Sequence, residues 1–245
     1  MRFRAAIALV ALMMVFTSSA YGAITQSISM SASGGQVSQS AINTAYLSGN
    51  YQTLNQRISQ SASGSSVSQS AVNLAMVDGN YNSVTQGIRQ NAVGSTVSQS
   101  SANMAIFRGD GNQLGQAIIF NARGNEVSQS GLNQAYMTGD GNSLVQGISG
   151  YVTALNPYRP VDPSQDFQNK AYLNGYQNSV VQGIYGSVNM GNRNMPVNQY
   201  GLNYIQTYNE VSNPNFQQGI KFNARTGPRA PIHQESYNQV TSGHW

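Results

Sequence analysis

The chain of 245 residues contains no cysteine, which excludes disulfide bonds, thiolate metal ligands and thiol nucleophiles. Charged residues make up only 8% of it, about a third of the usual share. Its formal net charge of +4 is too small to form a basic field for nucleic acid. Histidine occurs only as His233 and His244 near the C-terminus, too few convergent groups for a hydrolytic or zinc site. The sequence therefore predicts no enzyme, no cofactor and no metal site.

Long apolar runs are absent after the first residues. The run Ala5–Phe16 follows the basic residues Arg2 and Arg4, and Ala20-Tyr21-Gly22 places small residues around a cleavage point. This pattern is typical of a secretory signal peptide over residues 1–22, cleaved after Gly22. Because the run is too short to span a bilayer, we expect no transmembrane segment in the mature chain. The expected location is secreted, at the cell surface or outside it.

Proline is absent from the first 156 residues, and tyrosine and loop length also rise in the second half. The seven prolines are Pro157, Pro160, Pro163, Pro196, Pro214, Pro228 and Pro231. Proline removes a backbone donor and suits loops and sheet edges. We therefore divide the mature chain into a regular repeat region, 23–150, and divergent repeats, 151–245, that continue the same stack. Either the second region is restrained from edge growth, or it has simply diverged.

The chain is rich in one repeated stretch. Val127–Ala135 reads Val-Ser-Gln-Ser-Gly-Leu-Asn-Gln-Ala, and similar copies at thirty-residue intervals are Val37–Ala45, Val67–Ala75 and Val97–Ala105. A constant period of this size indicates one supersecondary unit repeated along an axis. Seven units open at Ile24, Leu54, Val84, Leu114, Leu144, Val180 and Phe216.

Each unit contains two arms whose side chains alternate. In the second unit Leu54, Gln56 and Ile58 share one face of the first arm, and Val67 and Gln69 begin the inward face of the second. Period-two alternation is typical of strands with one buried face. Glycine marks the turn between the arms at Gly34, Gly64, Gly94 and Gly124. The predicted fold is all-β: a β-solenoid or stack of β-arches, cross-β-like, with seven units of about 30–36 residues.

Glutamine and asparagine recur at inward positions of every unit. A lone buried amide costs about 1–3 kcal/mol when unpaired, but stacked copies about 4.8 Å apart bond to one another. We predict that these columns fix the register and serve assembly. The predicted stacking residues are Gln26, Gln56, Gln86, Gln116, Gln146, Gln182, Gln218, Gln39, Gln69, Gln99, Gln129, Asn43, Asn73, Asn103 and Asn133.

Two other architectures fit the sequence less well. A glutamine-rich helical repeat conflicts with the apolar spacing of two and with glycine inside every unit. A transmembrane β-barrel needs an apolar outer face with aromatic girdles, whereas the non-core columns are interpreted here as Ser, Thr and Asn.

The charged residues of the repeats are aspartates in the closing turns and arginines scattered over different columns. Asp78, Asp110 and Asp140 occur in the closing turns and would form either a calcium ladder or ordinary turns, which turn chemistry favours. Scattered arginines are interpreted as gatekeepers against unwanted association; they are Arg57, Arg89, Arg108 and Arg123.

The motifs Gln129-x-Gly131-x-Asn133-x-Ala135 and Gln199-x-Gly201-x-Asn203 resemble the curlin repeat. Curlin is the secreted subunit of bacterial curli, a functional amyloid fibre. The resemblance implies strand-turn-strand units whose inward Gln and Asn side chains stack. A similarity in kind extends to biofilm fibre subunits and to the amyloid-like sheath proteins of some methanogenic archaea.

These features predict a secreted structural subunit that self-assembles into an amyloid-like fibre or sheath. Its partner is another copy of itself, with a dedicated nucleator or export factor. The mature chain has no capping segment before unit one, which favours growth at that end. The alternative is a capped, monomeric solenoid that binds ice or glycan through outward serine pairs, from Ser38 and Ser40 to Ser128 and Ser130.

Overall fold

The computed structural model describes residues 7–18, 22–49, 52–79, 81–109, 111–139, 142–155, 162–175, 178–190, 196–208, 215–227 and 230–242. Thirteen strands and no helix are found within these ranges. The strands are β1 (Ile7–Ser18), β2 (Gly22–Ser48), β3 (Gln52–Asp78), β4 (Ser83–Val93), β5 (Thr96–Arg108), β6 (Gln113–Gly124), β7 (Glu126–Thr138), β8 (Ser143–Ala154), β9 (Asp162–Asn174), β10 (Ser179–Asn189), β11 (Val197–Thr207), β12 (Asn215–Arg225) and β13 (Ile232–Ser242).

The strands form a parallel β-solenoid of seven units, which confirms the predicted fold class. β2 and β3 each run through both arms of their unit, and later units use two strands, from β4 and β5 to β12 and β13. First arms pair only with first arms, in the order β2, β3, β4, β6, β8, β10, β12. Second arms do likewise through β5, β7, β9, β11 and β13. Each unit thus makes one full turn.

The register aligns the predicted unit openings without a slip. Ile24 pairs with Leu54, and Leu54 pairs with Val84. The alignment continues through the longer units, where Val180 lies between Leu144 and Phe216. The additional residues of units five and six are therefore taken up in the connections between strands. Residues 156–161 and 209–214 in those connections lie outside the described ranges.

The core lies between the two arms in three apolar clusters. One cluster follows the closing turn and includes Leu54 and Ala45; another follows the glycine turn and includes Val67. The third lies midway and includes Ile58 and Phe167. Columns of buried amides separate the clusters, so the cross-section alternates apolar and polar layers.

Glycine is required at the closing turn. Gly79 and Gly109 have φ of 120° and 140°, which side-chain-bearing residues rarely adopt. Their amides donate to the next unit, Gly79 N to Arg108 O at 3.0 Å and Gly109 N to Thr138 O at 3.0 Å. A Cβ at Gly109 would overlap the carbonyl of Gly79, so the stack fixes glycine in this column.

Prolines are not confined to loops. Pro163 lies at the second position of β9, buried and in register with Val127. A strand's first residues tolerate proline because the lost donor lies at the end of the ladder. Pro196 and Pro231 precede β11 and β13 directly. The other four prolines, Pro157, Pro160, Pro214 and Pro228, lie outside the described residues.

The two ends of the stack differ. β1, which belongs to the predicted signal peptide, pairs in parallel with the second arm of unit one, from Ile7 opposite Gln36 to Ser18 opposite Leu47. At the other end, within the described residues, no strand pairs with the outer edge of β12 or β13. Most inward side chains are buried in unit one, whereas in unit seven they are half-buried in the first arm and exposed in the second.

Candidate assembly surface

The first-arm glutamines form one continuous column, here called the first Gln column. Its members are Gln26, Gln56, Gln86, Gln116, Gln146, Gln182 and Gln218. From Gln56 onward, each Nε2 donates to the Oε1 of the preceding member at 2.7–2.9 Å. Gln26 to Gln182 are at most 3% exposed. Stacking thus satisfies amides that would otherwise be costly to bury.

The second arm carries two further columns. The second Gln column comprises Gln39, Gln69, Gln99, Gln129, Gln165, Gln199 and Gln234, with bonds of 2.6–2.9 Å. The Asn column comprises Asn43, Asn73, Asn103, Asn133, Asn169, Asn203 and Asn238, with bonds of 2.9–3.0 Å. All the predicted stacking residues therefore lie in three columns. Six members in units five to seven extend them: Gln165, Gln199, Gln234, Asn169, Asn203 and Asn238.

The same amides also bond across the core. Gln86 Nε2 donates to Met104 O at 3.0 Å, and Asn103 Nδ2 donates to Ala117 O at 3.1 Å. An interior amide therefore uses one N–H along its column and the other toward the facing arm. The columns link neighbouring units and also hold the two sheets at a fixed separation.

A further set of buried asparagines lies in the closing turns. Each donates from Nδ2 to the carbonyl of the glycine three residues earlier, as in Asn82 to Gly79 O at 2.8 Å and Asn112 to Gly109 O at 2.9 Å. Asn142 and Asn178 repeat the arrangement. Sequence reasoning missed this set, although the recurring Gly-x-x-Asn spacing could have revealed it.

One pair of facing core positions, here called the exchange slot, changes character along the stack. Its first-arm residues are Met30, Gln60, Gln90, Phe120, Gly150, Gly186 and Phe222. Its second-arm residues are Ala41, Ala71, Ser101, Gly131, Phe167, Gly201 and Ser236. Units two and three fill the slot with glutamine, and Gln90 Nε2 donates to Gln60 Oε1 at 2.7 Å. Gln90 Oε1 is buried without a partner because Phe120 follows it.

Later units fill the slot by volume exchange. Phe120 faces Gly131, whose added Cβ would lie 3.0 Å from the ring, and Phe167 faces Gly150, whose Cβ would overlap its ring. The rings of Phe120 and Phe167 stack at 5.8 Å. A glycine opposite each ring keeps the sheet separation constant. Gly131, which carried the resemblance to curlin, thus has a packing role here.

The outward face of the second arm is only partly polar, so the interpretation of the non-core columns as Ser, Thr and Asn is wrong here. Serine rows cover one half, as Ser68 lies in register with Ser98. The other half is apolar: Ile42, Tyr46 and Met76 are 37%, 42% and 39% exposed. Alternation explains both halves: Asn43, Ala45 and Leu47 point inward, so Thr44 and Tyr46 between them must point outward. The apolar residues of this stripe are evident in the sequence, but the prediction for the outward face took only the serine pairs into account.

Asp78 does not belong to a ladder of aspartates. Asp78 is in register with Ser48 and Arg108, so no second aspartate stacks on it. Its Oδ2 accepts a hydrogen bond from Tyr46 Oη at 2.8 Å. Asp110 and Asp140 lie outside the described residues. Among the residues that the structure describes, no group of His, Cys, Asp and Glu could hold a metal ion.

Few groups have perturbed acidity. The pKa of Tyr46 is raised by its hydrogen bond to Asp78 and by that carboxylate's charge. Burial raises the pKa of Tyr172, helped by Tyr136 stacked 4.6 Å away. His233 is exposed and contacts Glu235 at 2.8 Å, while His244 lies outside the described residues. Among the described residues, the tyrosines and His233 do not converge with an acid, a base and a nucleophile in one place.

In the described ranges no helix is long and apolar enough to cross a membrane. No protein-family model, curated protein or solved structure matches the chain. Its functional interpretation therefore depends on the columns and on the two ends of the stack.

Proposed function

We propose that this protein is a secreted structural subunit that assembles end to end into an extracellular amyloid-like fibre or sheath. The observation that carries the proposal is the last unit, where the backbone edge and the three amide columns end without a neighbour among the described residues. An open parallel edge is a template for another strand. Seven units at about 4.8 Å give a stack only ~34 Å tall, so one added copy would double its length.

Other features support the same function. Low charge and repeated amide columns are typical of cross-β subunits. The resemblance to the curlin repeat supports the same class of protein. The N-terminal pattern supports export, and the partners would be further copies of the chain, a nucleator and an export factor. Neither catalysis nor a cofactor enters the proposal.

Fibre diffraction with particle sizing tests this function. The chain, expressed from Met1 in a secreting host and collected as released, is allowed to stand at neutral pH. We expect growth of particles with concentration and reflections near 4.7 and 10 Å. A monomer at every concentration would contradict the proposal.

Aligned rows of outward serines in units one to four favour a second candidate, a monomeric binder of ice or glycan. The double variant Ser68→Lys/Ser98→Lys separates the two functions. Under the assembly proposal it forms fibres as the parent does, because these side chains point away from the columns. Under the alternative it loses binding to ice or a glycan array, and the parent stays monomeric.

A further inference from the structure

The three amide columns have directions. In both Gln columns the nitrogen of each unit donates toward unit one, as in Gln56 Nε2 to Gln26 Oε1 and Gln69 Nε2 to Gln39 Oε1. The Asn column runs the opposite way, because Asn43 Nδ2 donates to Asn73 Oδ1 in the next unit. Each direction is kept along the whole stack.

The bonds across the core fix these directions. Asn73 Nδ2 donates to Gly87 O at 3.3 Å, and Gln69 Nε2 donates to Asn91 O at 3.2 Å. Exchanging nitrogen and oxygen in either amide would turn an oxygen toward a backbone carbonyl, where no proton is available. A column therefore cannot reverse without losing its bonds to the facing arm.

Opposite directions leave complementary groups at the two ends. Unit one retains an N–H on Gln26 and on Gln39 that has no preceding oxygen to receive it. It also retains Asn43 Oδ1, which is buried and has no partner. Unit seven presents the complement: Gln218 and Gln234 donate backward but accept from no described residue, and Asn238 accepts from Asn203.

We propose that unit seven of one copy docks on unit one of the next, head to tail and in register. Gln218 Oε1 then accepts from Gln26, Gln234 Oε1 accepts from Gln39, and Asn238 donates to Asn43 Oδ1. This contact rests on the proposed assembly function and specifies its geometry. Joining two like ends would place donors against donors and oxygens against oxygens, which costs free energy in a buried contact.

The apolar residues fit the same register. Aligning the glutamines places Phe216 over Ile24 and Ile220 over Ile28, which continues the columns present inside the chain. Burying these side chains, which are half-buried in unit seven, adds a hydrophobic contribution.

β1 occupies part of this docking surface. It pairs with the second arm of unit one, where Val10 and Met14 lie in register with Gln39 and Asn43. Neither residue type carries an amide, so β1 pairs the backbone edge but leaves Asn43 Oδ1 without a partner. Docking requires β1 to leave this edge, as cleavage after Gly22 would achieve.

Isosteric acidic substitutions block each end separately. Gln26→Glu/Gln39→Glu keeps the oxygens that accept from unit two but removes the outward donors. It also removes the bonds from Gln26 to Thr44 O and from Gln39 to Ser61 O, so the dichroism of this variant is compared with that of the parent. Asn238→Asp keeps the acceptor for Asn203 but turns a carboxylate toward Asn43 Oδ1. Asn223→Asp is the matched control, because it adds the same charge to unit seven on the outward face.

Light scattering and analytical ultracentrifugation of the released chains follow the result. We expect each blocked variant alone to remain monomeric where the parent and Asn223→Asp form fibres. Mixing the two blocked variants is expected to give a 1:1 dimer, because the intact unit seven of one variant docks on the intact unit one of the other. The dimer grows no further, since both of its outer ends are blocked. Below about pH 4 both variants are expected to regain assembly, because a protonated carboxyl again donates.

Three results would overturn the docking geometry. A dimer formed by one blocked variant alone indicates contact between like ends. Fibre formation by both variants at the parent's rate indicates a contact away from the columns. Absence of a dimer from the mixture, when both variants keep the parent's β-sheet dichroism, contradicts head-to-tail pairing. In each case the parent still assembles, whereas a monomeric parent refutes the proposed function itself.

Discussion

Units two and three differ from units four to seven in how they fill the exchange slot. The earlier units place Gln60 and Gln90 there and connect them by a hydrogen bond. Units four and five place a phenylalanine in one arm and a glycine in the other. Unit six has glycine in both arms, Gly186 and Gly201, and the ring of Phe222 from unit seven lies against both of them. The same sheet separation is thus maintained either by pairing amides or by matching volumes. The comparison suggests that this slot tolerates different chemistry provided that its volume and its polar groups are both accounted for.

The largest effect is expected where volume matching is complete. Phe167→Ala should lower the free energy of unfolding by about 3–5 kcal/mol, because the ring is fully buried and Gly150 cannot fill the space. Phe222→Ala should cost less, since the ring of unit seven is only half-buried. Urea unfolding of the unassembled chains, followed by dichroism, measures both. Equal losses would show that the slot is not specifically packed in unit five.

Adding volume to the slot should also destabilise the protein. Gly150→Ala is expected to cost about 1–3 kcal/mol, because the new methyl overlaps the Phe167 ring and lies 2.7 Å from Gln129 Oε1. Gly147→Ala in the same strand is the control, since nothing lies within 4 Å of its added Cβ. That control should be neutral or should stabilise by about 0.4–1 kcal/mol. The comparison fails if the two variants unfold at the same urea concentration.

Two glutamines of β4 test how much the pairing of buried amides contributes to stability. Gln86 makes two donations and receives one bond, from Gln116, whereas Gln90 makes two donations and its Oε1 has no partner. Each buried group left unpaired costs about 1–3 kcal/mol. We therefore expect Gln86→Leu to destabilise more than Gln90→Leu, which removes an unpaired oxygen. The reverse order in urea unfolding would contradict the described network.

The smallest effect concerns the tyrosines of the outer face. Burial raises the pKa of Tyr172, so its neutral form is favoured in the folded chain. The stabilisation is complete below the unfolded pKa of about 10 and is lost as pH rises through the raised folded value. Urea midpoints measured at increasing pH should fall more steeply for the parent than for Tyr172→Phe. Parallel curves would show that this hydroxyl does not contribute.

The fold and the columns could be predicted because they depend on spacing alone. A period of thirty residues aligns Gln56 with Gln86, and alternation places both inside. The exchange slot could not be predicted in this way. Phe120 and Gly131 belong to different arms, and only the turn between β6 and β7 determines that they face each other. The direction of the columns likewise depends on carbonyls of the facing arm, which no sequence period reveals.

The order of the units has a consequence for folding accuracy. The amide columns are the same in every unit, so they cannot distinguish a correct stack from one in which an arm has skipped a turn. The phenylalanine–glycine alternation is not periodic and does distinguish them. Shifting the second arms by one unit would bring Phe167 opposite Phe120 and leave Gly150 facing Gly201, producing a clash beside a void. The exchange slot therefore selects the correct pairing of first and second arms, which the identical amide columns alone would leave undetermined.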